Sequence, residues 1–202
     1  MSSLIRLCLT LFCSFFLSNS QATTILVMGD SLSAAYQLPI EKGWVHLLES
    51  HIKQQDTNIN IINASISGET TQGGVSRLAP LLKEAPNIVI LELGANDALR
   101  GYPLKTTKNN LIKMINDSKQ AGAKVLLIGN QIPPNYGRRY ANAFFTLFQD
   151  IAEQEDIPLV PFMLDNVALN QDLMLNDGLH PNAQGQTQVL KNIMPKVLSL
   201  LN

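Results

Sequence analysis

The sequence predicts an α/β fold, a three-layer α/β/α sandwich around a five-stranded parallel sheet. Five short runs rich in aliphatic and β-branched residues recur at 24–28, 58–64, 87–93, 124–128 and 157–162, each of the length of a buried strand. Most of the stretches between them carry apolar residues at helical spacing. Strands therefore alternate with helices, and right-handed crossovers returning to a parallel sheet are the connections such an order requires. With 202 residues, 46% of them hydrophobic and only 15% charged, the chain has enough apolar surface for one substantial core.

The first run, 24–28, stops at Gly29-Asp30-Ser31-Leu32-Ser33 and is followed by the helix-compatible Ala34 and Ala35. Ser31 thus sits at the carboxyl end of a strand, where open parallel sheets place their ligand crevice. Asp and Ser before a helix are also ordinary N-caps, which is the reading this turn would receive in isolation. A phosphate cradle needs several glycines and usually a Lys, and neither is present.

Residues 44–52 have helical spacing, with Trp44, Leu47, Leu48 and Ile52 on one face; His46 and His51 flank that face and have no polar turn beside them. The second strand, 58–64, ends in the polar turn Ser65-Ile66-Ser67-Gly68-Glu69-Thr70-Thr71. Residues 75–84 read as a helix with Leu78, Leu81 and Leu82 inward, kinked or restarted at Pro80. The third strand, 87–93, closes in Gly94-Ala95-Asn96-Asp97, and a helix over 106–121 follows, terminated by Gly122.

The fourth strand runs into Gln131-Ile132-Pro133-Pro134-Asn135-Tyr136-Gly137, a loop by its Pro and Gly content. Residues 138–155 form a helix whose Phe144, Phe145, Phe148 and Ile151 make a core stripe. The fifth strand contains Pro158, which cannot donate to a ladder, so it belongs at an edge. After Asn176-Asp177-Gly178-Leu179-His180-Pro181 a last helix spans 182–201, modestly kinked at Pro195.

The N-terminus differs in character. Arg6 precedes an apolar stretch over 7–17, too short to span a bilayer comfortably, and Ser20-Gln21-Ala22 supplies small residues where a signal peptidase reads. Residues 1–22 are thus expected to be a signal peptide and 23–202 the folded domain, periplasmic or secreted and without membrane insertion after cleavage. Leu11 and Phe12 before Cys13 are not the small residues of a lipoprotein site. Both cysteines, Cys8 and Cys13, lie in this segment, so the mature protein would have no thiol chemistry. The net charge of -1, with no cluster of basic and aromatic residues, argues against nucleic acid as a partner.

Four polar turns now lie at the carboxyl side of the sheet, carrying Ser31, Gly68, Asn96 and the pair Asp177 and His180. Acyl transfer needs such a set: a nucleophile, a base for its proton, a group to orient the base, and donors around the developing oxyanion. An imidazole, which titrates near 6.5 in isolation, suits the base, and Asp177 three residues earlier can reach its other ring nitrogen. Ser31 and Gly68 can each offer a backbone N–H, and Asn96 a neutral side-chain amide. Taken singly, each of these is an ordinary turn residue.

Together, Gly29-Asp30-Ser31-Leu32-Ser33, Asn63-Ala64-Ser65-Ile66-Ser67-Gly68-Glu69-Thr70, Gly94-Ala95-Asn96-Asp97 with Leu99-Arg100-Gly101, Asn135-Tyr136-Gly137-Arg138-Arg139-Tyr140 and Asp177-Gly178-Leu179-His180-Pro181 resemble the SGNH (GDSL-type) hydrolases, in particular their bacterial periplasmic thioesterase/lysophospholipase branch. The likeness covers nearly the whole mature chain. It implies a flavodoxin-like sheet; Ser31 as nucleophile with Asp177 and His180 completing a triad; Ser31, Gly68 and Asn96 as oxyanion hole; and hydrolysis of acyl thioesters, lysophospholipids and aryl or alkyl esters. A monomer without metal or cofactor is expected, although the sequence itself leaves the oligomeric state open. Ala95 departs from the family, where many members carry a second Gly, and its methyl should narrow the site slightly. The same triad would also serve a carbohydrate O-deacetylase, and the same fold a catalytically silent binding protein.

Intact-mass measurement of the exported protein should find a chain starting near Thr23. A full-length N-terminus retained in membranes would contradict this.

Overall fold

A computed structural model describes residues 22–201. The predicted signal peptide lies outside them, apart from Ala22. Five strands, β1 (Thr23–Gly29), β2 (Ile59–Asn63), β3 (Ile88–Glu92), β4 (Lys124–Ile128) and β5 (Leu159–Val160), form one sheet in the order β2-β1-β3-β4-β5. Every pairing is parallel, with Ile25 opposite Ile61 on one side and Ile88 on the other. This is the flavodoxin-like order, whose reversal beside β1 opens a crevice at the carboxyl ends of the strands.

Alternation along β1 feeds two separate cores. Ile25 and Val27 point into the layer made by α1 (Trp44–Lys53) and α6 (Ala183–Leu201), with Trp44, Leu48, Val189 and Ile193 fully buried. Leu26 and Met28 point into the layer made by α2 (Thr71–Leu81), α4 (Leu104–Gln120) and α5 (Arg138–Glu155). There Phe144 and Phe148 meet edge-on, with ring centroids 5.1 Å apart, as part of the stripe expected from their spacing. Phe145, assigned to the same stripe, is instead exposed.

Several elements differ from expectation, each for a local reason. No regular helix follows Ser31: the chain makes turns through residue 37, and Ala35 and Gln37 take left-handed backbone (φ 55° and 57°) that ends helical winding. The helix expected from residue 75 starts at Thr71, capped by Thr70, whose hydroxyl accepts from the Gly73 N–H. Gly73 and Gly74 disguise that first turn. Gly74 nevertheless packs closely: a Cβ there would lie 2.6 Å from the end of the Leu93 side chain, which would have to shift. A short helix, α3 (Ala95–Leu99), replaces the turn expected after β3. The final strand keeps only two residues and lies at the edge. Pro80 and Pro195 lie inside α2 and α6, which continue through them.

Where β4 leaves the sheet, Gly129 holds it against the β5 segment. Its N–H donates to the Val160 carbonyl (2.8 Å), its carbonyl accepts from Met163, and a Cβ would lie 2.3 Å from the Pro161 carbonyl oxygen. Gly129→Ala must push these backbones apart, and urea unfolding should show a loss of about 1–3 kcal/mol or more. An unchanged midpoint would show that the contact relaxes freely.

Candidate active site

The loops that leave β1, β2 and β3 and the loop before α6 meet at the carboxyl edge of the sheet. Ser31 follows the end of β1 after one residue, Asp30. Its Oγ lies 2.8 Å from His180 Nε2, across a separation of 149 residues, and His180 Nδ1 lies 2.8 Å from Asp177 Oδ2. Asp177 Oδ1 accepts the backbone N–H groups of Leu179 (2.9 Å) and His180 (3.0 Å), so the carboxylate also shapes the loop that presents the imidazole. Burial works to raise the Asp177 pKa, but the Leu179 N–H, both bonds from His180 and the His180 charge outweigh it and hold the carboxyl below its usual value. The face of His180 is covered by Tyr36, with ring centroids 4.4 Å apart.

Three donors of these turns keep a hydrogen with no acceptor among the described residues. Neither the Ser31 nor the Gly68 N–H donates to any described residue. Gly68 has φ 79°, in the left-handed region that glycine adopts without strain, and its carbonyl accepts from Arg100 (2.9 Å). Asn96, in the first turn of α3, gives one amide hydrogen to Asp30 Oδ2 (3.0 Å) and keeps the other. The loop carrying Gly68 is tied to α3 a second time, by the buried Asp97, which accepts both the N–H and the hydroxyl of Thr71.

All the predicted residues, Ser31, Gly68, Asn96, Asp177 and His180, thus belong to one edge of the molecule, while His46 and His51 lie on α1 outside it. A cleft lined by Ser31, Asn96, Ile132, Leu179 and His180 continues past Pro133 and Leu164 into an apolar groove reaching Phe162 and Met174. Among the described residues no group of three His, Cys, Asp or Glu is placed to hold a metal ion.

Four contributors receive no role from the sequence: Asp30, Glu92, Tyr36 and Arg100. Asp30 resembles a cap, but its Oδ1 accepts from Leu32 (3.0 Å) and its Oδ2 from Asn96. Burial is the largest influence on it and pushes its pKa up to about 6. Glu92 ends the most buried strand, and burial first and the neighbouring Asp30 charge second drive its pKa well above the ordinary value. A Glu inside an otherwise aliphatic strand was the signal available for it. Arg100 stands in the sequence only within the Leu99-Arg100-Gly101 likeness, with no role attached, and Tyr36 carries no signal.

A profile of the GDSL-like lipase/acylhydrolase family matches residues 27–188. The chain belongs to that family. It is 40% identical over 196 residues to an arylesterase of Vibrio mimicus, covering 96% of this chain and 98% of that one. It is 39% identical over 182 residues to the thioesterase 1/protease 1/lysophospholipase L1 of Escherichia coli K12, covering 90% and 86%. The psychrotrophic esterase EstA from Pseudoalteromonas sp., solved in a form inhibited by monoethylphosphonate, superposes with a TM-score of 0.84 at 43% identity, covering 89% of this chain and 99% of that one. This family member is an ester hydrolase, and none of its described helices is long and apolar enough to cross a membrane.

Proposed function

We propose that the chain is an exported serine esterase and thioesterase that works through an acyl-enzyme on Ser31. The observation that carries this reading is the continuous Ser31–His180–Asp177 hydrogen-bond chain, 2.8 Å at each link, beside free N–H donors. Ser31 Oγ attacks the substrate carbonyl carbon while His180 Nε2 takes its proton. The negative oxygen is received by the Ser31 and Gly68 N–H groups and the free Asn96 amide hydrogen. Collapse expels the alcohol or thiol, which takes the proton from His180. Water then repeats the sequence against the acyl-Ser31 ester, releasing the acid and restoring the serine. Asp177 holds the imidazole in the tautomer that presents Nε2 to Ser31.

The groove leading from Ser31 past Ile132, Pro133, Leu164 and Leu179 suits an aliphatic acyl chain, and the names of relatives support aryl esters, thioesters and lysophospholipids as substrates. Export rests on the leader pattern of residues 1–22.

Asn96→Ala should lower turnover roughly 10²–10³-fold with little change in KM, because the lost donor acts mainly on the transition state. Asn96→Asp should be at least as harmful: an ionised carboxylate fits the same space but repels the oxyanion. A folded Asn96→Asp enzyme with near-normal turnover would remove Asn96 from the oxyanion hole.

Specificity constants measured across acyl lengths should favour medium-to-long acyl esters and thioesters over acetyl esters. Highest values on acetylated sugars would replace this reading with a carbohydrate deacetylase, and no turnover of any ester would leave a binding protein.

A further inference from the structure

Two carboxyl groups lie buried beneath the Ser31 turn with no Lys or Arg paired to either among the described residues. Glu92 and Asp30 are each 1% exposed, and they are neighbours: Glu92 is held against the backbone of Asp30, and each carboxyl group lies within the other's electrostatic reach. Glu92 Oε2 also accepts from the Ser33 hydroxyl (2.8 Å) and the Asp30 N–H (3.2 Å). The packing leaves no slack: a Cβ on Gly29 would lie 2.8 Å from that oxygen. The titratable groups facing the pair are each other and, on the far side of Asp30, His180.

Two neighbouring carboxylates out of water repel each other with little screening, which favours one proton shared by the pair over two charges. Its neighbours decide where. Asp30 accepts an N–H at each oxygen, from Leu32 and from Asn96, and an anion is best served by that arrangement. Glu92 receives its two donors at a single oxygen, leaving the other to carry a hydrogen.

We infer that Glu92 is held as a neutral carboxylic acid donating to the Asp30 carboxylate, and that this pair is the positioning device that keeps the Asn96 amide turned with its donor toward the oxyanion. The inference rests on the oxyanion role proposed for Asn96. Its physical core is a choice between two amide orientations. Against an ionised Asp30, Asn96 must present its NH2, since a flipped amide would set carbonyl oxygen against carboxylate. Were the proton on Asp30, the flipped amide could accept it, and the carbonyl and NH2 ends of Asn96 would exchange places. The location of one buried proton thus selects which end of Asn96 meets Asp30 and which hydrogen is left for the substrate.

The test has one arm that ignores activity and one that reads it. Unfolded Glu92 ionises above about pH 4.3, whereas the folded acid keeps its proton. The wild type therefore loses stability as pH rises through and beyond that value, and Glu92→Gln, having no proton to lose, does not. The stability of Glu92→Gln relative to wild type should increase steadily from pH 5 to pH 8, and a pH-independent difference would overturn the neutral acid. Should Glu92→Gln not fold, infrared spectra of wild-type protein carrying ¹³C-labelled Glu decide the same point at pH 7: a protonated-carboxyl band is expected, and its absence overturns the claim.

In the kinetic arm, Glu92→Leu should lower kcat about 10- to 100-fold with little change in KM, and Glu92→Gln, whose amide can donate to Asp30, should stay within about threefold of wild type. In an Asn96→Ala background the cost of Glu92→Leu should shrink to about twofold or less, because the group it positions is gone. Equal cost in both backgrounds would overturn the positioning role. If Glu92→Leu does not fold, Asp30→Asn replaces it with the same expected coupling to Asn96. An Asn96→Ala enzyme of normal turnover would instead refute the oxyanion assignment, and the stability and infrared measurements would still judge the proton.

Discussion

The site depends on the parallel pairing of β1 with both β2 and β3. Because all three strands run the same way and are in register, their carboxyl ends finish together, and the turns bearing Ser31, Gly68 and Asn96 leave the sheet side by side. A single reversed strand would send one of these loops to the opposite edge. The fourth contribution comes from the C-terminal part of the chain, where α6 packs on α1 and brings the loop before it, with Asp177 and His180, back over Ser31. Two apolar layers thus hold four short polar turns to hydrogen-bond tolerance, which no turn could achieve alone.

Much of this was legible in the sequence because polar turns break sharply from apolar runs. The Ser31 turn after 24–28, the Asn96 turn after 87–93 and Asp177 with His180 before a helical stripe all stand out for that reason. What stayed hidden depends on partners far along the chain. Glu92 looks like one polar residue in a strand until Ser33 and Asp30, some sixty positions away, close over it. Tyr36 shows no pattern before its ring is found against His180. Helix α3 is five residues long, too short to display a period, and the glycines that begin α2 resemble a loop although Gly74 packs closely against Leu93 and Met114. The helix expected after Ser31 fails because the Asp30 carboxylate accepts the Leu32 N–H in a tight turn and the backbone at Ala35 and Gln37 is left-handed.

The electrostatics divide the acids by environment. Asp177 is partly exposed, rich in donors and held ionised beside His180. Asp97 is buried but satisfied by Thr71, joining two loops of the site. Asp30 and Glu92 are buried with too few donors for two charges, so burial raises both. Carboxyl groups of one chemical type thereby stay low beside an imidazole, tie loops, or are pushed up by burial, according to how many N–H and O–H groups reach each one.

The most direct measurement is rapid-quench mass spectrometry during turnover of an activated acyl ester. A protein species heavier by the acyl group, with the added mass on the peptide containing Ser31 and absent from Ser31→Ala, is the expected result. Full turnover by Ser31→Ala, or an acyl group found on any other residue, would contradict catalysis through Ser31.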